Sequence, residues 1–324
     1  MPRITEADLL TWARSALTTV GVGAADATFI ARCLVDVDLR GIKSHGTRQL
    51  RRYTDEFGQG RINPAPQIRT LRQSANAIRL DGDGGAGYLV AMQGVDTACA
   101  KAKELGLALA STCNHGHVGS AGIYARRALE HGLISWCVAG GTGWQKPADP
   151  AATVWDAMAA PPMCFGVPAN DGGPPLVLDM NANQFTRGAS AEEGLAAGFG
   201  RSVFGSLGMR FVSTLVAGVL SGTLEDETER RFPAATRGFV FVAIDPDLIG
   251  EGDAFRANVR EIIDESLSLA PMAGTDAAAL PGTLEWQRER QWRQSGIPIP
   301  DDHRQLLDDI AAKLGIVPPA WTMG

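Results

Sequence analysis

Along the chain, apolar residues first recur at helical spacing and later in short, strand-like runs. Thr5 to about Thr19 and Ala24 to about Leu39 carry apolar positions three to four residues apart, which predicts two amphipathic helices. Ser44 is placed to cap a third helix, which bears Arg48, Leu50, Arg51 and Tyr53 and ends near Gly58-Gln59-Gly60. Asn63-Pro64-Ala65-Pro66 reads as a stiff connection. From about Ala75 the pattern changes. Short apolar runs around Ala77, Leu107, Leu133, Leu176 and Gly238 predict strands, and helical stretches near Tyr88, Ser120 and Gly208 separate them. Two more helices, near Leu284 to Gln294 and Asp301 to Leu314, close the chain. This alternation predicts an α/β lobe over residues 76–284. Residues 1–75 and 285–324 would form a helical lobe from the two ends of the chain.

At 324 residues the chain exceeds one ordinary core. A net charge of −6 argues against nucleic acid or an anionic membrane as the main partner. No apolar stretch reads as long enough to span a bilayer. Five cysteines, none in Cys-x-x-Cys spacing, suit buried thiols in a reducing compartment and offer no metal site. The start lacks the basic and apolar pattern of a signal peptide, so the expectation is a cytoplasmic protein.

Candidate chemistry concentrates in Lys43-Ser44-His45-Gly46 and in His115-Gly116-His117-Val118-Gly119-Ser120-Ala121-Gly122, which hold three of the five histidines. Histidine carries protons near neutrality, and glycine leaves room in front of an imidazole. With Ser44 as the cap, His45 would lie in a first helical turn, where the helix dipole lowers its pKa. Arg48, Arg52 and Gln49 follow as candidate contacts for a substrate carboxylate. Gly82-Asp83-Gly84-Gly85-Ala86-Gly87 imitates a dinucleotide fingerprint. The adjoining Asp81 and Asp83 would repel phosphate, so it reads instead as a glycine turn between strand and helix.

Ser44-His45-Gly46 with Tyr53 and Gly60-Arg61-Ile62-Asn63, and then His117, Gly119, Gly122 and Tyr124, resemble the two signatures of the type-2 malate/L-lactate dehydrogenases. That family includes ureidoglycolate, sulfolactate and diketogulonate enzymes and piperideine-carboxylate reductases. Leu178-Asp179-Met180, Leu215 to Gly222, and Leu280-Pro281-Gly282 with Gly296-Ile297 resemble further family segments, in order along almost the whole chain. The resemblance implies a homodimer with a mainly antiparallel, non-Rossmann cofactor-type lobe. It also implies NAD or NADP, and reduction of a 2-oxo acid or cyclic imino acid. His45 and His117 would be catalytic, His117 donating or accepting the proton and His45 polarising or protonating the substrate. Ser44 would contact the substrate, and Asp179, Met180, Asn181, Pro281 and Gly282 the cofactor.

The differences from the family gather at the anion sites. Gln49 stands where the family has arginine, Ala159-Ala160-Pro161-Pro162 replaces Gly-Thr-Asn-Pro, and the connection 184–207 is shortened. Gly205 and Ser206 stand where a lysine and glycine meet the cofactor, with Arg201 or Arg210 as candidate replacements. A second reading therefore stays open, in which the same fold performs acid–base chemistry, such as tautomerisation, elimination or addition, without nicotinamide. A non-catalytic binding protein is the third.

Overall fold

A computed structural model describes residues 1–140, 146–184, 190–223 and 230–322 of the chain. Strand β1 (Arg3–Ile4) leads into helix α1 (Glu6–Thr19), capped by Thr5, whose side chain accepts from the Asp8 amide. Helices α2 (Ala24–Leu39) and α3 (Leu50–Gly58) follow, joined by a 3-10 turn over Thr47–Gln49. Then come β2 (Arg69–Gln73), β3 (Ala77–Asp81), α4 (Gly87–Leu105), β4 (Leu107–His115), α5 (Gly122–Leu129) and β5 (Ile134–Ala139). Strands β6 (Pro162–Val167) and β7 (Leu176–Asn181), helices α6 (Ala191–Ala196) and α7 (Gly200–Thr214), and β8 (Arg237–Ile244) continue the chain. It closes with α8 (Pro246–Ile249), α9 (Gly252–Ser268), α10 (Thr283–Ser295), β9 (Ile297–Pro298) and α11 (Asp301–Leu314).

Seven strands form one sheet in the order β2-β3-β4-β8-β5-β6-β7. Among the described residues only the β3–β4 strand pair is parallel, so the sheet is mainly antiparallel. Its core joins Leu80, Val90, Val95, Tyr124, Phe239 and Phe241 beneath α4 and α5. A second core gathers Leu9, Trp12, Leu17, Ile30, Leu34, Leu50, Tyr53 and Phe57 with Ile297, Leu307 and Ile310 from the C-terminal segment. The pairing of β1 with β9 ties the two ends of the chain together. All five cysteines are buried thiols.

Several expectations need correction. The sheet begins at Arg69, earlier than the boundary read at residue 75, because β2 is exposed along its length and shows no apolar alternation. Gly200–Val219, continued past α7 by a π-helical turn at Leu215–Val219, is long and apolar enough to cross a membrane by length and composition. The sequence had shown that helix only from Gly208. Part of its apolar surface faces outward, since Phe204, Val212 and Leu215 are exposed. The shortened connection contains α6, with a capping box between Ser190 and Glu193, and is closed by a hydrogen bond from the Gln184 amide to Ser206 Oγ (2.7 Å). Residues 185–189 of that connection lie outside the described residues.

Candidate active site

Ser44 does not cap α3. The buried carboxylate of Asp38, near the end of α2, takes that part: its Oδ2 accepts from the Thr47 amide (2.9 Å) and the Thr47 hydroxyl (2.6 Å). With the hydroxyl hydrogen spent on Asp38, His303 of α11 donates its Nε2–H to Thr47 Oγ1 (3.0 Å). The carboxylate presses so close that a Cβ on Gly46 would meet Asp38 Oδ1 at 1.8 Å. Ser44 is thereby free to bond His45, with Oγ 2.7 Å from Nδ1. His45 sits in the loop before the 3-10 turn, so the helix-dipole argument does not apply to it.

The second histidine segment rests on the glycine turn after β3. The Gly84 amide donates to Asn114 O and the Gly116 amide to Gly85 O (2.9 and 2.8 Å), so this turn braces the loop that carries His117. Gly119 has φ +76°, and a Cβ there would meet the Tyr88 hydroxyl at 2.3 Å. The loop brings His117 to a ring-centroid distance of 5.6 Å from His45. Tyr53 Oη lies 2.7 Å from His117 Nδ1 and 3.1 Å from Tyr88 Oη. Burial pushes the His117 imidazole down to about 3, helped by Arg52 and His45 nearby, so its ring is neutral at physiological pH.

His45 opens on a cavity of about 450 Å³, whose wall also includes Ser44, Ser120, Arg126, Asp179, Met180, Asn181, Pro281, Gly282 and Glu285. Three distant segments are pinned together here. Asp179 Oδ2, at the end of β7, accepts from Ser120 Oγ (2.6 Å) and from the Gly122 amide (2.7 Å) at the start of α5. The Val177 amide donates to Pro281 O (3.1 Å), and Gly282 adopts φ +95° close against Pro175 O. His45, Ser44, Asp179, Met180, Asn181, Pro281 and Gly282 thus meet at one surface, with His117 behind His45.

The expected anion contacts do not line this cavity. Arg48 donates to Asp302 (2.6 Å), Arg52 to Glu56 (2.7 Å), and Gln49 Nε2 to the Ser44 carbonyl (2.7 Å). Arg210 is turned away, with Nε donating to Met158 O (2.9 Å) and its guanidinium 4.2 Å over the Trp155 ring; Arg201 is exposed. The cation on the cavity wall is Arg126, which sequence reasoning passed over. Its signal was faint: it stands four residues after Gly122, on the same face of α5, while the adjacent Arg127 points outward to Asp96 and Glu130. Burial, and then the positive Arg40, lower the Arg126 guanidinium to about 10, which leaves it protonated at neutral pH.

Burial holds His115 and His303 at about 4, and holds Asp38 up at about 6 against its Thr47 hydrogen bonds. The three depressed imidazoles (His115, His117, His303) bind protons more readily in the unfolded chain, so their contribution to stability is complete above about pH 6.5 and is lost as pH falls toward their folded values. Asp38 acts oppositely, since its raised pKa favours the folded state as pH falls from about 6 toward 4. Three groups outweigh one. Lowering the pH from about 7 to about 5 is expected to remove roughly 4 kcal/mol of stability in urea unfolding, and an unchanged or higher stability at the lower pH would contradict it.

Comparison with known proteins fits this arrangement. The malate/L-lactate dehydrogenase family matches residues 4–195 and 189–308, and the chain belongs to that family. It is therefore an oxidoreductase. It is 27% identical to the L-sulfolactate dehydrogenase of Methanocaldococcus jannaschii, over 93% of this chain and 94% of that protein. It is 23% identical to the ureidoglycolate dehydrogenase (NAD(+)) of Escherichia coli O157:H7, over 90% of each. The solved malate dehydrogenase of Pyrococcus horikoshii OT3 superposes with a TM-score of 0.82 at 25% identity, covering 98% of this chain and 96% of the other.

Proposed function

We propose that the protein reduces a small 2-oxo acid or cyclic imino acid, or oxidises the corresponding 2-hydroxy acid, with NAD or NADP as hydride carrier. The observation that carries this reading is the meeting of His45 with Asp179, Met180, Asn181, Pro281 and Gly282 on one cavity that also holds a protonated arginine. That donor set fits a nicotinamide dinucleotide: carboxylates for sugar hydroxyls, a guanidinium for an anionic group, and an imidazole beside the reacting carbon. When bound, the nicotinamide supplies or accepts the hydride.

His45 exchanges the proton at the substrate oxygen or nitrogen, because it lines the cavity and is oriented by Ser44. This keeps protonation of the substrate for His45, as expected from the sequence, and moves the proton exchange expected of His117 to it as well. His117, with its strongly depressed pKa, is a poor proton acceptor and instead presents a neutral ring held by Tyr53. Ser44 and His45 provide the contacts to the substrate. Arg48 and Gln49 support the loop through bonds to Asp302 and Ser44, and Arg52 pairs with Glu56 within α3. The test is a screen of 2-oxo acids and cyclic imino acids with NADH and NADPH, following loss of nicotinamide absorbance. Consumption of reduced cofactor that depends on such a substrate supports the reading. Turnover of the same acids without nicotinamide would favour the acid–base alternative.

The proposal includes a homodimer. On α7 and the turn that follows, Phe204, Val212 and Leu215 lie two turns and then one turn apart, and all three are exposed, with Phe199 and Leu195 alongside. A second copy of the chain would cover this stripe. Sedimentation is expected to show a dimer that Phe204→Asp converts to monomer; a monomeric wild type at tens of micromolar would refute it.

A further inference from the structure

Among the described residues, the guanidinium of Arg126 makes one hydrogen bond, a long one of 3.3 Å to the Gly122 carbonyl, and no ion pair within 4.0 Å. Guanidinium has five N–H donors, so most of its capacity is unspent at the wall of the cavity. Of the acids that act on it, Glu289 is paired with Arg40 and Arg293, and Asp179 has already committed Oδ2 to Ser120 and to the start of α5. A partly buried cation in such a place is costly unless an anion comes to it. The arginines that the sequence offered for this work are engaged elsewhere, Arg48 and Arg52 by carboxylates and Arg210 by a carbonyl and a tryptophan ring.

We propose that Arg126 is the anion anchor of the cavity and binds phosphate oxygens of the dinucleotide, an assignment that rests on the nicotinamide reading above. Phosphate is favoured over the carboxylate of a small substrate by the company Arg126 keeps. Asp179 and Glu285 line the same cavity and offer hydrogen-bond acceptors that a small acid leaves largely unused. A dinucleotide brings sugar hydroxyls for those carboxylates together with phosphate oxygens for the planar fork of the guanidinium. Arg126 thus supplies the positive charge that the family draws from a lysine on the connection shortened here.

The experiment titrates wild type, Arg126→Met and Arg126→Lys with ADP-ribose, which carries the phosphates without the nicotinamide, and with malonate as a carboxylate probe. Circular dichroism and thermal melts check each fold. Arg126→Met is expected to weaken ADP-ribose binding by about 10- to 150-fold and leave malonate binding unchanged, with Arg126→Lys in between. Equal affinity of wild type and Arg126→Met for ADP-ribose overturns the assignment while leaving the dehydrogenase reading intact. A loss confined to malonate overturns it in favour of a substrate anchor. Failure of wild type to bind ADP-ribose removes the dinucleotide reading and this assignment together. Should the variants not fold, phenylglyoxal labelling of wild type decides the matter. Protection of Arg126 by ADP-ribose supports the assignment, and full labelling of Arg126 at saturating ADP-ribose overturns it.

Discussion

Replacing His45 by glutamine is expected to lower kcat by about 10²- to 10⁴-fold while leaving dinucleotide affinity nearly unchanged. The side chain keeps its polar reach but cannot exchange a proton. His45 is the imidazole on the cavity wall, and Ser44 Oγ lies 2.7 Å from its Nδ1. His117→Ala should cost less, about tenfold, because burial already keeps that ring from accepting a proton near neutrality. Its loss removes a neutral neighbour and the partner of Tyr53, rather than the group that exchanges the proton. Steady-state kinetics on both variants, with cofactor titrations beside them, separates the two roles. A His45→Gln enzyme retaining more than about a third of wild-type kcat would contradict the assignment.

Gly119→Ala is expected to destabilise the protein by about 2–4 kcal/mol and abolish activity in what remains folded. The backbone at φ +76° already disfavours any Cβ, and this one would lie 2.3 Å from the Tyr88 hydroxyl. Tyr88 is fully buried and bonded to Tyr53, so it has little room to retreat. Relief must come from the loop, which would shift His117 away from Tyr53 and His45. Denaturant unfolding measures the stability loss. A variant as stable and as active as wild type would show that the loop tolerates the strain and that its geometry is not what holds the histidines.

The elements legible in the sequence were those with a dense apolar period and firm ends. The bounds of α2 and α11 were read correctly because buried positions such as Ile30, Leu34, Leu307 and Ile310 keep a strict helical spacing. Helix α9 was missed because its apolar positions are sparse among charged and small residues and it buries little besides Ile263. Strand β6 was missed because it opens on Pro162 and carries Gly166, both poor strand signals. Ser44 looked like a cap because its type and position suited one; the true acceptor, Asp38, comes from the preceding helix and nothing local announces it.

The candidate site divides in the same way. Ser44, His45 and His117 were singled out by their histidine and glycine chemistry, and Asp179, Met180, Asn181, Pro281 and Gly282 by resemblance to family segments; they gather from stretches far apart in the chain. No periodicity could have brought them together. The ion pairs of Arg48 and Arg52 were not legible because a basic face on a helix does not reveal its acidic partners, Asp302 being supplied by α11. Arg126 stayed hidden because only the phase of α5 decides which of two adjacent arginines turns inward.

The central claim is that this cavity holds a nicotinamide dinucleotide in spite of the shortened connection and the missing lysine. Calorimetric titration of the purified protein with NADH and NADPH tests it most directly. Dissociation constants on the order of micromolar for at least one of them are the predicted result. No binding of either up to about millimolar would contradict the account and leave His45 in a pocket for proton-transfer chemistry without nicotinamide.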